Sequence, residues 1–514
     1  MPFVATFVVR RLIASIFILL AATYLMYILT ALSGDPLEDL RTSTAPNKAE
    51  LIASRTRLLD LDVPPFLRYF LWLGDILGIR GRGFFNLGVT VQNQPVNTLL
   101  AQAAGATLQL VTIATIVAVI LGIVVGITTA LRQYSGYDYG VTFISFLFFS
   151  LPIFWVAVLL KQYVAIGFND FLADPTISYA VIPIIAVVSG LIWMSIIPRR
   201  GLQKLLTFAI AAVATAAIIV YIDLSDWFTT PHIGIVGIVI TAIAIAFGVT
   251  VISTGLKKRR ALYASLTVAA LGIALYFPFM YGFSYGLQLW GFVLLALLTV
   301  GVSFGIGWLW GGTDRLPVAR TAAITGFLVA AIIALDRFMF VWNQYTNSGR
   351  VKGRPIATIG SATPGLEGSL WVQGVDLFTH LLLPTLALIL ISFASYTRYS
   401  RASLLEVMNQ DYIRTARAKG LTERTVVVRH AFRNALIPIA TIVAFDIGGI
   451  IGGAVITERV FGWVGMGALF QNGLDHVDPN PVMAFFVVTG GLAILFNLIA
   501  DLVYAGLDPR IRVS

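Results

Sequence analysis

Cysteine is absent from the 514 residues, which excludes disulfides and thiolate-held metals outright. Histidine is nearly as scarce: His232, His380, His430 and His476 stand far apart, without the spacing of a metal site. Charged residues make up only 12%, about half the share that keeps a soluble surface wet. No lysine follows a glycine, so the phosphate-cradling GxxxxGK[ST] loop is missing and the chain has no nucleotide-hydrolysing loop of that kind. No catalytic and no metal-binding residue is expected.

What is there is apolar. Hydrophobic residues reach 58% and the mean hydropathy is +0.88. Runs of about 20 such residues are long enough to cross hydrocarbon. The net charge of +10 invites a nucleic-acid reading, but the cations gather at the ends of apolar runs, as in Arg10-Arg11, Arg199-Arg200 and Lys257-Lys258-Arg259-Arg260. That placement sets orientation across a bilayer, and no basic soluble domain exists to bind a nucleic acid.

With Arg10-Arg11 inside, the first span covers about 12–32, too long for the core of a signal peptide and followed by further spans. The polar outer stretch after it contains Phe66 to Ile79, which Pro64-Pro65 opens as an amphipathic helix in the interface. Spans follow at 105–131 and 141–166, with Lys161 near an outer end and long enough to snorkel. Between Ile177 and Val341 lie about six more: 177–197, 205–222, 233–252, 261–280, 286–309 and 321–341. Basic loops alternate there with acidic or neutral ones, as inward and outward loops do. The last spans are expected at 377–397, 435–457 and 482–506. The fold class is thus an all-α polytopic membrane protein of about twelve spans, both termini cytoplasmic.

A basic stretch between two spans, 398–433, is the most informative segment. Ser403 and Glu406 fit a capping box, from which a helix runs to Lys419. Gly420 supplies a left-handed stop, Leu421 a closing apolar contact, and Thr422 the cap of the next helix. Small residues alternate with long cations through Arg414-Thr415-Ala416-Arg417-Ala418-Lys419-Gly420. Such a surface suits a partner protein, anionic lipid headgroups or a loop that merely sets topology; a DNA-reading helix is disfavoured by the membrane tethers on both sides.

The string Gln410 to Leu421, followed by Arg429 to Pro438, resembles the cytoplasmic "EAA" loop of ABC importer permeases, in the form found in the dipeptide and oligopeptide branch. Ser33 to Pro36 and Leu67 to Gly74 resemble the amino-terminal signature of the B-type permease of that branch. Gly448-Gly449, Gly452 to Val455, Glu458 to Trp463, Gly465 to Gly467 and Leu507 to Arg512 match toward the other end. Val464 departs, standing where the family usually has proline.

The resemblance implies a type I importer permease core of six spans, in residues 1–174 and 346–514, interrupted by an inserted block at 175–345. It implies a bacterial cytoplasmic membrane location and a peptide cargo, with nickel complexes or haem as the alternative cargoes of close relatives in this branch. Its partners would be a second homologous permease, two ATPase subunits carrying the ATP and Mg, an extracytoplasmic substrate-binding protein and membrane lipid. The chain itself binds no cofactor. Asp411, Tyr412, Arg414, Ala416, Arg417, Ala418, Lys419, Gly420 and Leu421 would meet an ATPase. Asp446 would face the pathway or a polar partner helix, and Gly448, Gly449, Gly452 and Gly453 would pack against the second permease, form a hinge along the pathway, or pack within this chain. Glu458, Trp463 and Phe470, in the outer loop, would either face the binding protein or serve ordinary loop packing. A proton-coupled secondary transporter also has about twelve spans, but such carriers show related halves and buried ionisable relays, and neither stands out here.

Overall fold

In hydrocarbon, where water satisfies no amide, a single segment closes its own hydrogen bonds only as a helix. The computed structural model describes residues 2–81, 83–197 and 200–507, with all side chains except those of 2–8, 424, 441, 444, 445, 447–453 and 500–507. Among the described residues helices dominate, and β-pairing is confined to an isolated bridge between Val89 and Pro95. The principal helices are α1 (Pro2–Leu32), α2 (Pro65–Ile76), α3 (Val96–Leu131), α4 (Gly136–Ser150) and α5 (Ile153–Ala173). Then come α6 (Val181–Ile196), α7 (Leu202–Leu224), α8 (Gly234–Ser253), α9 (Arg259–Pro278), α10 (Leu289–Trp310) and α11 (Arg315–Phe340). Last are α12 (Leu370–Met408), α13 (Asp411–Ala418), α14 (Phe432–Phe461), α15 (Met466–Asp475) and α16 (Pro479–Leu507).

Ten helical segments among the described residues are long and apolar enough to cross a bilayer. Helix α6 is apolar but has only 16 residues, and α14, with 30, includes undescribed side chains. These positions correspond to the expected spans, with one correction. The span expected at 141–166 is broken: Leu151 is extended (φ −85°, ψ 131°) and Pro152 follows it. Proline disfavours helical geometry in the residue before it and brings no amide hydrogen, so α4 stops and α5 begins afresh. Within α5 a π-helical turn, Leu160–Ile166, carries Lys161. Rather than reaching for headgroups, its ammonium lies 3.4 Å from the Val460 carbonyl near the end of α14.

The chain divides into two compact units, Met1–Val164 with Thr358–Ser361 and Leu381–Ser514, and Ala165–Ala357 with Ala362–His380. The boundaries expected at 175 and 345 both fall within the second. In the first unit, α2 starts on Pro65, whose fixed φ suits the first helical position. It buries Arg68, Tyr69, Trp72 and Asp75 and leaves Phe66, Leu67 and Phe70 exposed, as an interfacial helix does. Tyr69 docks on α1, its hydroxyl 2.9 Å from that of Thr23 and its ring edge-on to Tyr24. Gly122 and Gly126, one turn apart on α3, let α12 approach so closely that a Cβ there would lie 2.4 Å from Tyr396 Cβ and 2.6 Å from the Thr397 carbonyl.

The second unit is built the same way. Gly307 of α10 faces Ala319 and Ala322 of α11, and Gly326 faces Ser303, so the two helices pack backbone to backbone. Asp336, fully buried on α11, accepts from the Ile233 amide at the start of α8 (2.5 Å) and from the Tyr276 hydroxyl (2.6 Å). A carboxylate at a helix amino terminus is well placed. Helix α7 buries no residue at all, the signature of a span bathed in lipid.

Candidate coupling turn and its surroundings

The turn begins differently from expectation. Ser403 and Glu406 do not cap a helix; both lie inside α12, and the Ser403 hydroxyl donates to the Ala435 carbonyl at 2.8 Å. A tertiary acceptor has claimed the hydroxyl, and buried Leu404 beside it holds α12 in register. The helix ends at Met408, Gln410 turns extended (φ −72°, ψ 150°), and α13 starts at Asp411.

Helix α13 is short, so its rigidity comes from packing rather than length. Ile413 and Ala416 insert into a cluster with Ala130 of α3, Leu404 of α12, Val426, Ala431 and Ala435. Gly420 then closes the turn with φ +76°. Its amide bonds the Arg417 carbonyl at 2.9 Å and the Leu421 amide the Ala416 carbonyl at 3.4 Å, the paired bonds of a Schellman end. A Cβ at Gly420 would meet nothing within 4 Å, so glycine is required here by backbone conformation alone. The Thr422 side chain caps the next turn by accepting from the Thr425 amide.

Arg417 reaches over the turn to Glu423 with two hydrogen bonds, 2.7 and 3.2 Å, which hold the Glu423 carboxyl below its ordinary pKa. The Tyr412 hydroxyl accepts from Asn434 Nδ2 at 2.9 Å, fastening the start of α13 to α14. Of the residues expected to meet a partner, Asp411, Tyr412, Arg414, Arg417, Ala418, Lys419, Gly420 and Leu421 stand together at the surface. Ala416 is buried and supports them from below. Leu421, at 40% exposed, and Tyr412, at 42%, each add apolar surface to the turn.

On α14, Asp446 lies within electrostatic reach of the Tyr396 hydroxyl of α12. The surroundings of Gly448, Gly449, Gly452 and Gly453 lie outside the described residues. Of the expected receptor-facing side chains, Glu458 and Trp463 are buried in the loop's own packing and Phe470 is partly buried. Glu458 is fully buried; its carboxylate accepts from the Thr107 hydroxyl (2.5 Å) and from the amides of Gly467 (2.7 Å) and Ala468 (3.3 Å). Trp463 is 1% exposed and donates from Nε1 to the Ala106 carbonyl at 3.1 Å. Phe470 stacks on Phe485 with centroids 4.8 Å apart. A loop between two spans has an inner side, and here the aromatic and acidic residues close that side while Val464 is exposed.

Three features escaped the sequence reading. Thr107 is a hub, donating to Glu458 and accepting from the Met466 amide at 2.8 Å; a lone threonine in an apolar run carries no signal of this. Gly122 and Gly126 did carry one, the GxxxG spacing of close helix packing. Arg401 pairs with buried Asp138 at 2.9 and 3.0 Å, tying α12 to the start of α4 just above the turn.

Residues 262–513 match the family described as the binding-protein-dependent transport system inner membrane component. The oligopeptide transport system permease protein OppB of Mycobacterium bovis is 38% identical over 237 residues, 43% of this chain and 70% of its own length. The chain belongs to the dipeptide and oligopeptide permease family. The oligopeptide permease AppB of Bacillus subtilis is 46% identical over 137 residues (27% of this chain, 43% of its own length). The dipeptide permease DppB of Escherichia coli is 36% identical over 177 residues (33% and 52%). This family member is a multi-pass membrane protein, the transmembrane permease of an ABC importer. Among its described residues no group of three or more His, Asp or Glu is arranged to hold a metal ion.

Proposed function

We propose that this permease moves peptides inward across the bacterial cytoplasmic membrane by alternating access, driven through the turn at Asp411 to Leu421 by separate ATPase subunits. The observation that carries the reading is the build of that turn. Its surface residues are exposed, yet Ile413, Ala416 and the Arg417–Glu423 pair make it stiff, so a push on it is passed on to α12 and α14. ATP and Mg sit on the ATPases; a second homologous permease completes the pathway, an extracytoplasmic binding protein delivers the peptide, and both termini face the cytoplasm. Asp446, with Gly448, Gly449, Gly452 and Gly453 beyond it on the same helix, belongs to the pathway or to the contact with the second permease.

The test is co-expression with the neighbouring transporter subunits, affinity capture through this chain, and peptide uptake in proteoliposomes. The unaltered chain is expected to retain the ATPases and to take up peptide only with ATP. Tyr412→Asp with Leu421→Asp places charge at two exposed apolar positions of the turn and is expected to release the ATPases while the membrane part stays folded. Retained ATPases and undiminished uptake in that double variant would refute the coupling role.

A further inference from the structure

Arg337 lies near the end of α11, 4% exposed, and makes no hydrogen bond or ion pair among the described residues; its Nε is buried without a partner. Its neighbour Asp336 forms no ion pair with it; that carboxylate accepts instead from the Ile233 amide and the Tyr276 hydroxyl. A buried guanidinium with no anion at ion-pair distance is costly. What surrounds it is aromatic: the guanidinium carbon lies 5.0 Å from the ring centre of Tyr285, 5.3 Å from Phe340 and 6.0 Å from Trp371. Ring faces attract a cation but do not supply a countercharge. Tyr285 is 62% exposed and Phe340 46%, so two walls of this cage face outward, where an anion can approach.

The cage adjoins a cavity. Helices α9, α10 and α11 enclose an apolar cleft of about 410 Å³, opened by small residues such as Gly272, Ala296 and Ala331. Leu275, Leu298 and Phe327 are exposed at its mouth, so it opens toward hydrocarbon. At one end it is lined by Phe279 and Phe292, and Trp371 packs edge-on against both, at 5.9 and 5.7 Å. The same indole faces Arg337, and cleft-lining Ile333 and Ala334 stand one turn before Arg337 on α11.

The geometry points to a binding site for an anionic phospholipid, one acyl chain in the cleft and the phosphate against Arg337. Charge complementarity selects this occupant. A neutral hydrocarbon fills the cleft and leaves the cation unanswered, whereas a soluble anion answers the cation and leaves the cleft unfilled. A phospholipid of net negative charge does both, and the aromatic rings around Arg337 suit the level where headgroups begin. The inserted unit thereby acquires a ligand of its own, independent of the transport pathway.

The test is native mass spectrometry of the full-length protein, delipidated in detergent and titrated with phosphatidylglycerol, phosphatidylcholine or glycerol 3-phosphate. Phosphatidylglycerol is expected to bind at least about tenfold more tightly than phosphatidylcholine, the increment of one charge-assisted contact. Arg337→Gln is expected to erase that preference and Arg337→Lys to keep part of it. Ala296→Phe, which leaves the cation in place and fills the cleft, is expected to weaken both lipids. Equal binding of the two lipids by the unaltered protein, or an undiminished preference in Arg337→Gln, would overturn the site. Binding of glycerol 3-phosphate as tight as that of the lipid would overturn the part played by the cleft. Thermal unfolding of each variant guards against misfolding; should Arg337→Gln fail to fold, Arg337→Lys and Ala296→Phe decide the matter.

Discussion

Thr107→Val removes one hydroxyl and should unlock the loop between α14 and α16. The substitution is nearly isosteric, so packing on α3 is kept and the effect is confined to hydrogen bonds. Two are lost together: the donation to Glu458 Oε1 at 2.5 Å and the acceptance from the Met466 amide at 2.8 Å. Glu458 keeps the Gly467 and Ala468 amides on its other oxygen, so the carboxylate is weakened, not stranded. The Met466 amide is buried and loses the partner it had. Removing an acceptor from a buried donor costs about 1–3 kcal/mol, and a hydrogen bond to a charged group contributes about 1.5–3 kcal/mol. Allowing for relaxation, the net loss should be about 2–4 kcal/mol, a fall of several degrees in Tm. Thr107→Ser keeps both bonds and should restore most of it. Thermal unfolding in detergent reads the stability, and limited proteolysis within 462–480 reads the loop. If Thr107→Val and Thr107→Ser behave alike, the hydroxyl is not the keystone described above.

Gly420→Val forces a β-branched residue to φ +76°, a strain of about 1–3 kcal/mol with no steric clash to add to it. Retention of the ATPases should fall sharply while Tm shifts by only a few degrees, and Gly420→Ala should lie between; a Gly420→Val chain that couples normally would contradict this. Asp478 precedes α16, accepts from the Val91 amide at 2.7 Å and the Asn480 amide at 3.2 Å, and burial pushes its pKa up to about 6. The folded state then holds a proton that the unfolded chain, with a carboxyl pKa of about 3.9, releases earlier. Stability from this group is therefore full below about pH 4, declines by roughly 3 kcal/mol up to about pH 6, and is level above. Infrared titration of the carboxyl should show a midpoint near 6 that disappears in Asp478→Asn, whereas a midpoint near 4 would count against burial as the ruling influence.

The parts legible in the sequence were those whose cause is local. Apolar runs announced their spans, Pro64-Pro65 announced α2, and Gly420 announced a left-handed turn, because each property belongs to the residues themselves. The misreadings share a different cause. Ser403 and Glu406 have the composition of a cap, yet a carbonyl 32 residues away takes the hydroxyl. Glu458 and Trp463 have the composition of an exposed loop, yet partners on α3 bury them, and Phe470 packs partly against α16. The break at Pro152 has a local cause too, an X-Pro pair within an apolar run, which the hydropathy of 141–166 does not register. Side chains that look inward are chosen by partners far along the chain, and a single sequence does not announce them.

The bond between Thr107 and Glu458 spans 351 positions of the chain. Ribosomes add about 5–20 residues per second, so α3 emerges roughly 20–70 s before its acceptor exists. During that interval the threonine has neither of its partners, and every helix from α4 to α13 is synthesised first. Assembly of the outer lock is thus a late event in biogenesis, and every residue added between α3 and α14 lengthens the time for which the amino-terminal helices stand unlatched.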